Sequence, residues 1–404
     1  MDSRRKFLGK VATGIAGIAA APARVLGAND RIRAGFIGFG DRAGELVRLV
    51  RCCANTEIAA VCDVFSKQLD KARALAPNAA TYSDYRKLLD DTSIDAVIIA
   101  TPPHLHAAQF CAALDAAKHV YQEKVMAFTA ADARRMRAAY TKDAGRHTVE
   151  IGHQACSSGH MRDVRQFLSD PRRMGRITAI DMRMYRNTPR GKPQWSRAAR
   201  VTPELNVQNI DWAAFLGDAP AREFDAHRFL NWRLYWDYSG GSAFEHMSHQ
   251  LGFWYKALDL QIPRAAAMNG GVYLWKDGRE VPDTMNVSLE QPEEILISWS
   301  AGFGNNQPGV TEDALGDQGT ITRDQQVRYR PQKINRPEGN EMTGRTMHAP
   351  QAHVENFFDA IRTGKAPNAG FELGYRVSIA ARMAVDSYRL GRTTRWDAAR
   401  EEIV

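Results

Sequence analysis

From residue 32 onward the chain alternates short apolar runs with amphipathic stretches. IRAGFIGFG (32–40) is a strand-like run ending in glycines, and RAGELVRLVR after it carries Ala43, Leu46, Val47 and Val50 at helical spacing. EIAAVCDV (57–64) predicts a second buried strand. It is followed by helices over 66–76 and near 83–90, the strand AVIIATP at 96–102, a helix over 104–117 and the strand KHVYQEK at 118–124. Such alternation, with right-handed crossovers, makes a parallel sheet with helices on both faces. Beyond residue 151 the rhythm changes: RITAIDMRMY, AAAMNGGVYLW, TMNVSLEQ and EILISWSAG, with turns between the later ones, predict a predominantly antiparallel sheet. The polar, Pro- and Gly-punctuated stretch 328–350 predicts a long loop. A final helix, ELGYRVSIAARMAVDSYRLG, carries Leu373, Val377, Ala380, Ala384 and Tyr388 on one face and is expected to pack back on the first domain.

The turn after the first strand carries chemistry. Gly38-Phe39-Gly40-Asp41-Arg42-Ala43 fits G-x-G-x-x-G/A between a strand and a helix, where backbone N–H groups at a helix start receive a pyrophosphate. Asp63 ends the second strand just over twenty residues later, where an acid binds the ribose hydroxyls of an adenosine. Together they predict an α/β protein with a Rossmann dinucleotide-binding domain over 30–150 and a second α/β domain over 151–404. Asp63 favours NAD, because a carboxylate repels the extra phosphate of NADP, while Arg42 and Lys67 keep NADP open.

Composition and charge change this picture at one place. The 404 residues are 44% hydrophobic and 25% charged, enough for two domains. The net charge of +8 includes five basic residues against Asp2 within residues 1–28, and falls to +4 without them. No basic, aromatic-interleaved patch remains, which argues against a nucleic-acid partner. The segment MDSRRKFLGKVATGIAGIAAAPARVLGA (1–28) has a basic head, a weakly apolar Gly/Ala stretch and a small-residue exit, the pattern of a signal peptide. Ser3-Arg4-Arg5-Lys6-Phe7-Leu8 resembles a twin-arginine signal, which implies the twin-arginine export machinery as a partner and a periplasmic or secreted destination. No later run of ~18 apolar residues predicts a stable membrane span. Five cysteines (Cys52, Cys53, Cys62, Cys111 and Cys156), without a CxxC pair, read as small buried hydrophobes.

Taken in order, the glycine loop, Asp63, Ala100-Thr101-Pro102-Pro103-His104-Leu105-His106, Glu123-Lys124, Gly152-His153-Gln154, Asn231-Trp232-Arg233 and Gly240-Gly241 leading to Glu245 and His249 resemble the glucose-fructose oxidoreductase and inositol dehydrogenase family, Gfo/Idh/MocA. The resemblance implies a C-terminal domain with a large open sheet whose exposed face helps build the active site or a homo-oligomer interface. It implies cofactor contacts from Thr101, Pro102, His104, His106, Glu123 and Lys124 beside the glycine-loop residues, and substrate contacts from His153, Arg233, Lys124 and His249. One departure is plain: the family's Glu-Lys-Pro reads Glu123-Lys124-Val125 here, removing the constraint that a proline would place on the backbone.

Lys124 at a strand end can hydrogen-bond a substrate hydroxyl and stabilise a developing alkoxide. His249 is the candidate general base, since an imidazole exchanges protons near neutrality. Glu245, four residues earlier on one predicted helix face, would orient it or grip a sugar hydroxyl. The same glutamate also fits a capping box, Ser242-Ala243-Phe244-Glu245. Glu245, His246 and His249 lack the H-E-x-x-H spacing, and no metal is expected. The aromatics Phe229, Trp232, Tyr235, Trp236 and Tyr238 suit either sugar faces or core packing. The expected function is an exported NAD(P)-dependent oxidoreductase acting on a secondary hydroxyl of a sugar, glycoside or cyclitol. Since NAD is not maintained outside the cytoplasm, its cofactor should be loaded before export and tightly held. The alternatives are an NAD-dependent glycosidase working through transient oxidation and elimination, and a non-catalytic sugar-binding relic.

Overall fold

The computed structural model describes residues 31–188, 192–332, 342–344 and 350–404; the signal-like segment 1–28 and most of 333–349 lie outside them. β1 (Ile32–Ile37), β2 (Thr56–Cys62), β3 (Ala80–Tyr82), β4 (Ala96–Ile99), β5 (His119–Gln122) and β6 (Val149–Ile151) form one sheet in the order β3-β2-β1-β4-β5-β6. Every neighbouring pair is parallel. Its helices are α1 (Asp41–Val50), α2 (Ser66–Leu75), α3 (Tyr85–Leu89), α4 (His106–Asp115) and α5 (Ala130–Asp143). β4 is buried at every position, as a strand covered on both faces must be. The strand order turns at β1 and β4, so the crevice beyond their carboxyl ends is the place where an open parallel sheet receives a ligand.

The second domain begins with α6 (Gly159–Leu168) and α7 (Pro171–Met174), followed by β7 (Ile177–Tyr185), α8 (Trp212–Leu216), α9 (Ala226–Leu230) and α10 (Ser248–Leu258). β8 (Ala265–Gly271), β9 (Thr284–Glu290), β10 (Leu296–Gly302), β11 (Val310–Gly316), β12 (Gly319–Arg323), β13 (Val327–Pro331) and β14 (Met342–Gly344) come next. The chain closes with α11 (Pro350–Thr363), α12 (Phe371–Leu390), β15 (Thr394–Asp397) and β16 (Glu402–Ile403). Ten strands form one open sheet, β14-β13-β12-β11-β7-β10-β9-β8-β15-β16. Its neighbours are antiparallel except for the parallel pair β7 and β10. The expected mainly antiparallel sheet is therefore present.

Two expectations need correction. The stretch 328–350 is not all loop, since Val327–Pro331 and Met342–Gly344 pair as antiparallel strands. The final helix α12 packs back on the first domain as expected, through α5 and β6, while its other side lies on β8 and β9 of the large sheet and beside α10. α11 closes the first domain as well: Val354, Phe357, Phe358 and Ile361 enter the core formed by Ile32, Ala34, Phe36, Leu46 and Val47. Finally, Cys52 is exposed while the other four cysteines are buried, and all five are free thiols.

Under α10 the sheet carries a polar network where an apolar layer would be expected. Glu312 on β11, 2% exposed, accepts hydrogen bonds from Trp254 Nε1 (2.8 Å) and Gln250 Nε2 (3.0 Å) and pairs with Arg323 on β12. Trp299 Nε1 in turn donates to Gln250 Oε1 at 2.7 Å. Each buried polar group is thus partnered, which fixes the rotation of α10 about its axis. Because Phe357 is fully buried in the first-domain core, Phe357→Ala should cost ~3–5 kcal/mol, read as a fall in the denaturation midpoint. An unchanged midpoint would contradict the docking of α11.

Candidate active site

The turn from β1 to α1 is shaped for a close ligand. Gly38 has φ of +85°, and a Cβ there would lie 2.6 Å from Thr101 Cγ2 and 3.0 Å from Thr101 N, so a side chain is excluded twice over. Gly40, capping α1 in extended conformation, has nothing within 4 Å of its would-be Cβ. The open side of that glycine is a cavity of about 490 Å³ lined by Gly38, Gly40, Asp63, Thr101, Pro102 and His104, among others. The Asp63 carboxylate accepts the Phe39 N–H at 2.6 Å and the Phe65 N–H at 2.8 Å. Burial raises its carboxyl to about 6, with those two N–H groups pulling the other way. These residues fit a dinucleotide: a side-chain-free helix start for a pyrophosphate, and an acid at the end of β2 for ribose hydroxyls.

Other members of the glycine motif serve the fold. Ala43 is fully buried against the sheet, and the Phe39 side chain packs edge-on against Phe36. Arg42 turns away from the β2 end: it pairs with Glu123 Oε1 at 2.7 Å and Glu45 Oε2 at 3.0 Å. Lys67 pairs with Glu204 at 3.5 Å. Both cations named for NADP are therefore engaged by carboxylates.

A second cavity of about 720 Å³ adjoins the first, sharing Asp41, Arg42, Ala100, Thr101, Arg197, Trp232 and Arg233 as common wall. It holds Lys124, Glu245, His246 and His249. Lys124, just beyond β5, reaches across the domain boundary to the Glu245 carbonyl (3.3 Å) and Glu245 Oε2 (3.4 Å). Arg233 Nε donates to the same Oε2 at 3.1 Å while its guanidinium lies 4.1 Å over the Trp232 ring. Burial raises the Glu245 carboxyl, but the Lys124 ammonium and the Arg233 guanidinium outweigh it and hold it at about 2. The Lys124–Val125 peptide is cis, and these contacts place the amine in the cleft without the family's proline.

Glu245 is not a cap. Ser242 makes no side-chain capping bond, and residues Ala243–Met247 form a π-helical segment leading into α10. The wider turn brings Glu245, His246 and His249 to one cleft, whereas simple α-helical spacing aligns only Glu245 with His249. His246 stacks on Trp195 with ring centroids 5.1 Å apart and planes at 11°. Neither the π segment nor Trp195 was anticipated. A tryptophan within the polar stretch RGKPQWSRAAR was the available signal.

Two histidines expected at the ligands lie elsewhere. His106 is fully buried, with Nδ1 2.8 Å from the Val125 carbonyl and Nε2 3.0 Å from the Thr101 carbonyl; it braces the two strand ends rather than touching either cavity. His153, 1% exposed, lies against Gly252 and lines neither cavity, and neither ring nitrogen has a partner among the described residues. His104 does border the first cavity, with Nε2 2.8 Å from the Phe215 carbonyl. Of the aromatic cluster, Tyr235 and Tyr238 are core, packed with Phe215, Leu216 and Leu234. Trp232 borders both cavities.

Residues 32–151, the whole six-stranded domain, match the model of the Gfo/Idh/MocA oxidoreductase family, described as its NAD-binding Rossmann fold. The chain is 37% identical over 123 residues to inositol 2-dehydrogenase of Salmonella typhimurium, covering 30% of this chain and 36% of that protein. It is 35% identical over 109 residues to a glycosyl hydrolase family 109 protein of Shewanella baltica, covering 25% of this chain and 24% of the other. The chain thus spans about a third or less of the length of these curated relatives. At the level of fold the likeness runs further: aldose-aldose oxidoreductase of Caulobacter crescentus, complexed with glycerol, superposes with a TM-score of 0.67 at 18% identity, over 90% of this chain and 99% of that one.

Buried and half-buried histidines give the fold a pH dependence. Burial lowers His153 and His246 to about 3 and His104, His119 and His353 to about 4, and pushes His249 well below its ordinary value. Each is neutral when folded and takes a proton at about 6.5 when unfolded, so its contribution is complete above that pH and is lost as pH falls. Asp63 and Glu150, raised by burial, act in the opposite sense but are outnumbered. Unfolding free energy should therefore drop between about pH 7 and about pH 5, at up to ~1.4 kcal/mol per pH unit for each histidine. A flat profile in denaturant titrations would contradict neutral burial.

Proposed function

We propose that this protein, whose first domain is of the Gfo/Idh/MocA oxidoreductase type, is an NAD-dependent dehydrogenase acting on a secondary hydroxyl of a sugar, glycoside or cyclitol. The observation that carries the reading is the common wall of the two cavities: Lys124, Glu245 and His249 stand next to the glycine-loop crevice, where a polyol carbon can meet a nicotinamide. Asp63 at the end of β2, with Arg42 and Lys67 both held by carboxylates, supports NAD over NADP. The similarity to an inositol 2-dehydrogenase supports a polyhydroxylated substrate.

When bound, the nicotinamide supplies the hydride acceptor. Lys124 donates a hydrogen bond to the substrate hydroxyl and stabilises the oxygen as negative charge grows on it. Glu245, anionic across the physiological range, pairs with Lys124 and fixes its direction. His249, half-buried and facing the same cavity, is placed to take up the hydroxyl proton, against the burial and the nearby Lys124 charge that lower its basicity. Arg233 completes the clamp on Glu245 and faces the same cavity.

Export and retention of the cofactor belong to the same reading. The twin-arginine-like Arg4-Arg5 segment supports delivery of a folded holoprotein to the periplasm or beyond, with the dinucleotide recycled in place by a second substrate. A like-subunit assembly through the outer sheet face, where Leu296 and Leu315 are exposed, goes with it. The similarity to a glycosyl hydrolase family 109 protein favours one second reading, transient oxidation followed by elimination, marked by glycoside cleavage without net change in the nicotinamide.

Two variants test the proposal. Gly40→Val fills the open side of the glycine turn and should abolish NAD binding in calorimetry while leaving the thermal midpoint within a few degrees. Lys124→Gln should keep NAD affinity but lower kcat/KM on the responsive sugar or cyclitol by about 10²–10³-fold, followed by nicotinamide absorbance. Undiminished turnover in the lysine variant, or a wild-type protein that binds neither NAD nor NADP, would overturn the reading.

A further inference from the structure

The chain following β7 crosses from the second domain onto the first and is pinned at both ends of the crossing. At the substrate end Trp195 stacks on His246, and the Arg197 N–H donates to Asn231 Oδ1 at 2.5 Å. At the cofactor end Arg197 Nη2 meets Asp41 Oδ2 at 2.8 Å, and Arg200 Nη1 and Nη2 meet Asp41 Oδ2 and Oδ1 at 3.1 and 3.3 Å. Asp41 is the first residue of α1, directly after Gly40. All three side chains border the first cavity.

The charge at that spot is otherwise wrong for a dinucleotide. A helix start offers roughly half a positive charge to a pyrophosphate, but the Asp41 carboxylate adds a full negative one. Two guanidiniums from the other domain turn the local side-chain sum from negative to positive, and their forked donors suit phosphate oxygens as well as carboxylate. Resting on the dinucleotide reading above, we infer that Arg197 and Arg200 form a clasp that neutralises Asp41 and completes the pyrophosphate site from the second domain. Retention of the dinucleotide then depends on both domains at once. Asp41 serves as the counter-ion that keeps the clasp in place when no phosphate is there.

The crossing does not rely on these arginines for its fold. Further along, the Ser66 N–H donates to the Asn209 carbonyl and the Asp211 N–H to the Val64 carbonyl, both at 2.9 Å, and Phe65 forms a bridge with Ile210. Removing the guanidiniums therefore leaves the chain tied to the end of β2. Arg200 is also half exposed, so its replacement is a mild one for the fold.

The test is NAD titrated by calorimetry into the full chain, stripped of retained nucleotide, for wild type, R200Q, R197Q/R200Q, D41N and the triple variant. R197Q/R200Q should weaken NAD at least about tenfold, and R200Q alone by about threefold. Adding D41N to the double variant should recover most of the loss, because the uncompensated carboxylate is then gone, and D41N alone should bind at least as tightly as wild type. Affinities of R200Q and R197Q/R200Q within about twofold of wild type would overturn the clasp, and so would failure of D41N to restore the double variant. A wild type that binds no NAD or NADP would instead sink the dinucleotide reading on which the clasp rests.

Discussion

The Lys124 ammonium leaves the end of a strand in one domain and finds the Glu245 carboxylate and carbonyl in the other, both side chains about nine-tenths buried. At 3.4 Å and an effective dielectric of about 20, the attraction is about 5 kcal/mol before desolvation. Removing the two charges from water consumes much of that, so the pair adds little net stability while fixing geometry. Arg233 shares the same carboxylate oxygen, leaving Glu245 one arrangement in which both cations are satisfied. The position of the amine relative to the glycine-loop crevice, and so the chemistry proposed for it, depends on this contact.

The contact is held from below on each side. In the first domain His106 ties the Val125 and Thr101 carbonyls together, so the chain after β5 is braced against the chain after β4. In the second, Gln250 and Trp254 anchor α10 to Glu312, and Arg323 closes the network. Glu245 and His249 sit at the start of that anchored helix. A buried network with every member partnered tolerates little rotation, which is how the large sheet aims two side chains into the second cavity, beside the cofactor crevice.

Much of the fold was legible in the chain because its strongest signals are local. The buried strands β1, β2 and β4 read as continuous apolar runs, and Gly38 marks a backbone conformation that only glycine adopts with ease. The parallel first sheet and the mainly antiparallel second sheet followed. Legibility stopped where burial runs against residue type. β11 hid because Glu312 and Asp313 interrupt its pattern, yet Glu312 points inward to three partners, Gln250, Trp254 and Arg323. The placements of His106 and His153 are set by which side of a short turn each faces, and spacing does not encode that. α11 went unread because it follows directly on a polar, Pro- and Gly-punctuated stretch, and only the tertiary packing shows that Phe357 and Phe358 enter the first core. Arg197 and Arg200 stand in a polar stretch that has no periodicity to read.

The central claim is that a carbinol hydrogen leaves as hydride beside Lys124 and His249 and lands on a nicotinamide held by the glycine loop. It is tested most directly by supplying a sugar or cyclitol deuterated at each carbinol carbon in turn and weighing the nicotinamide recovered from the protein. The account predicts that one labelled position, and no other, delivers its deuterium to the ring. Substrate consumption with no label in the nicotinamide from any position would contradict it.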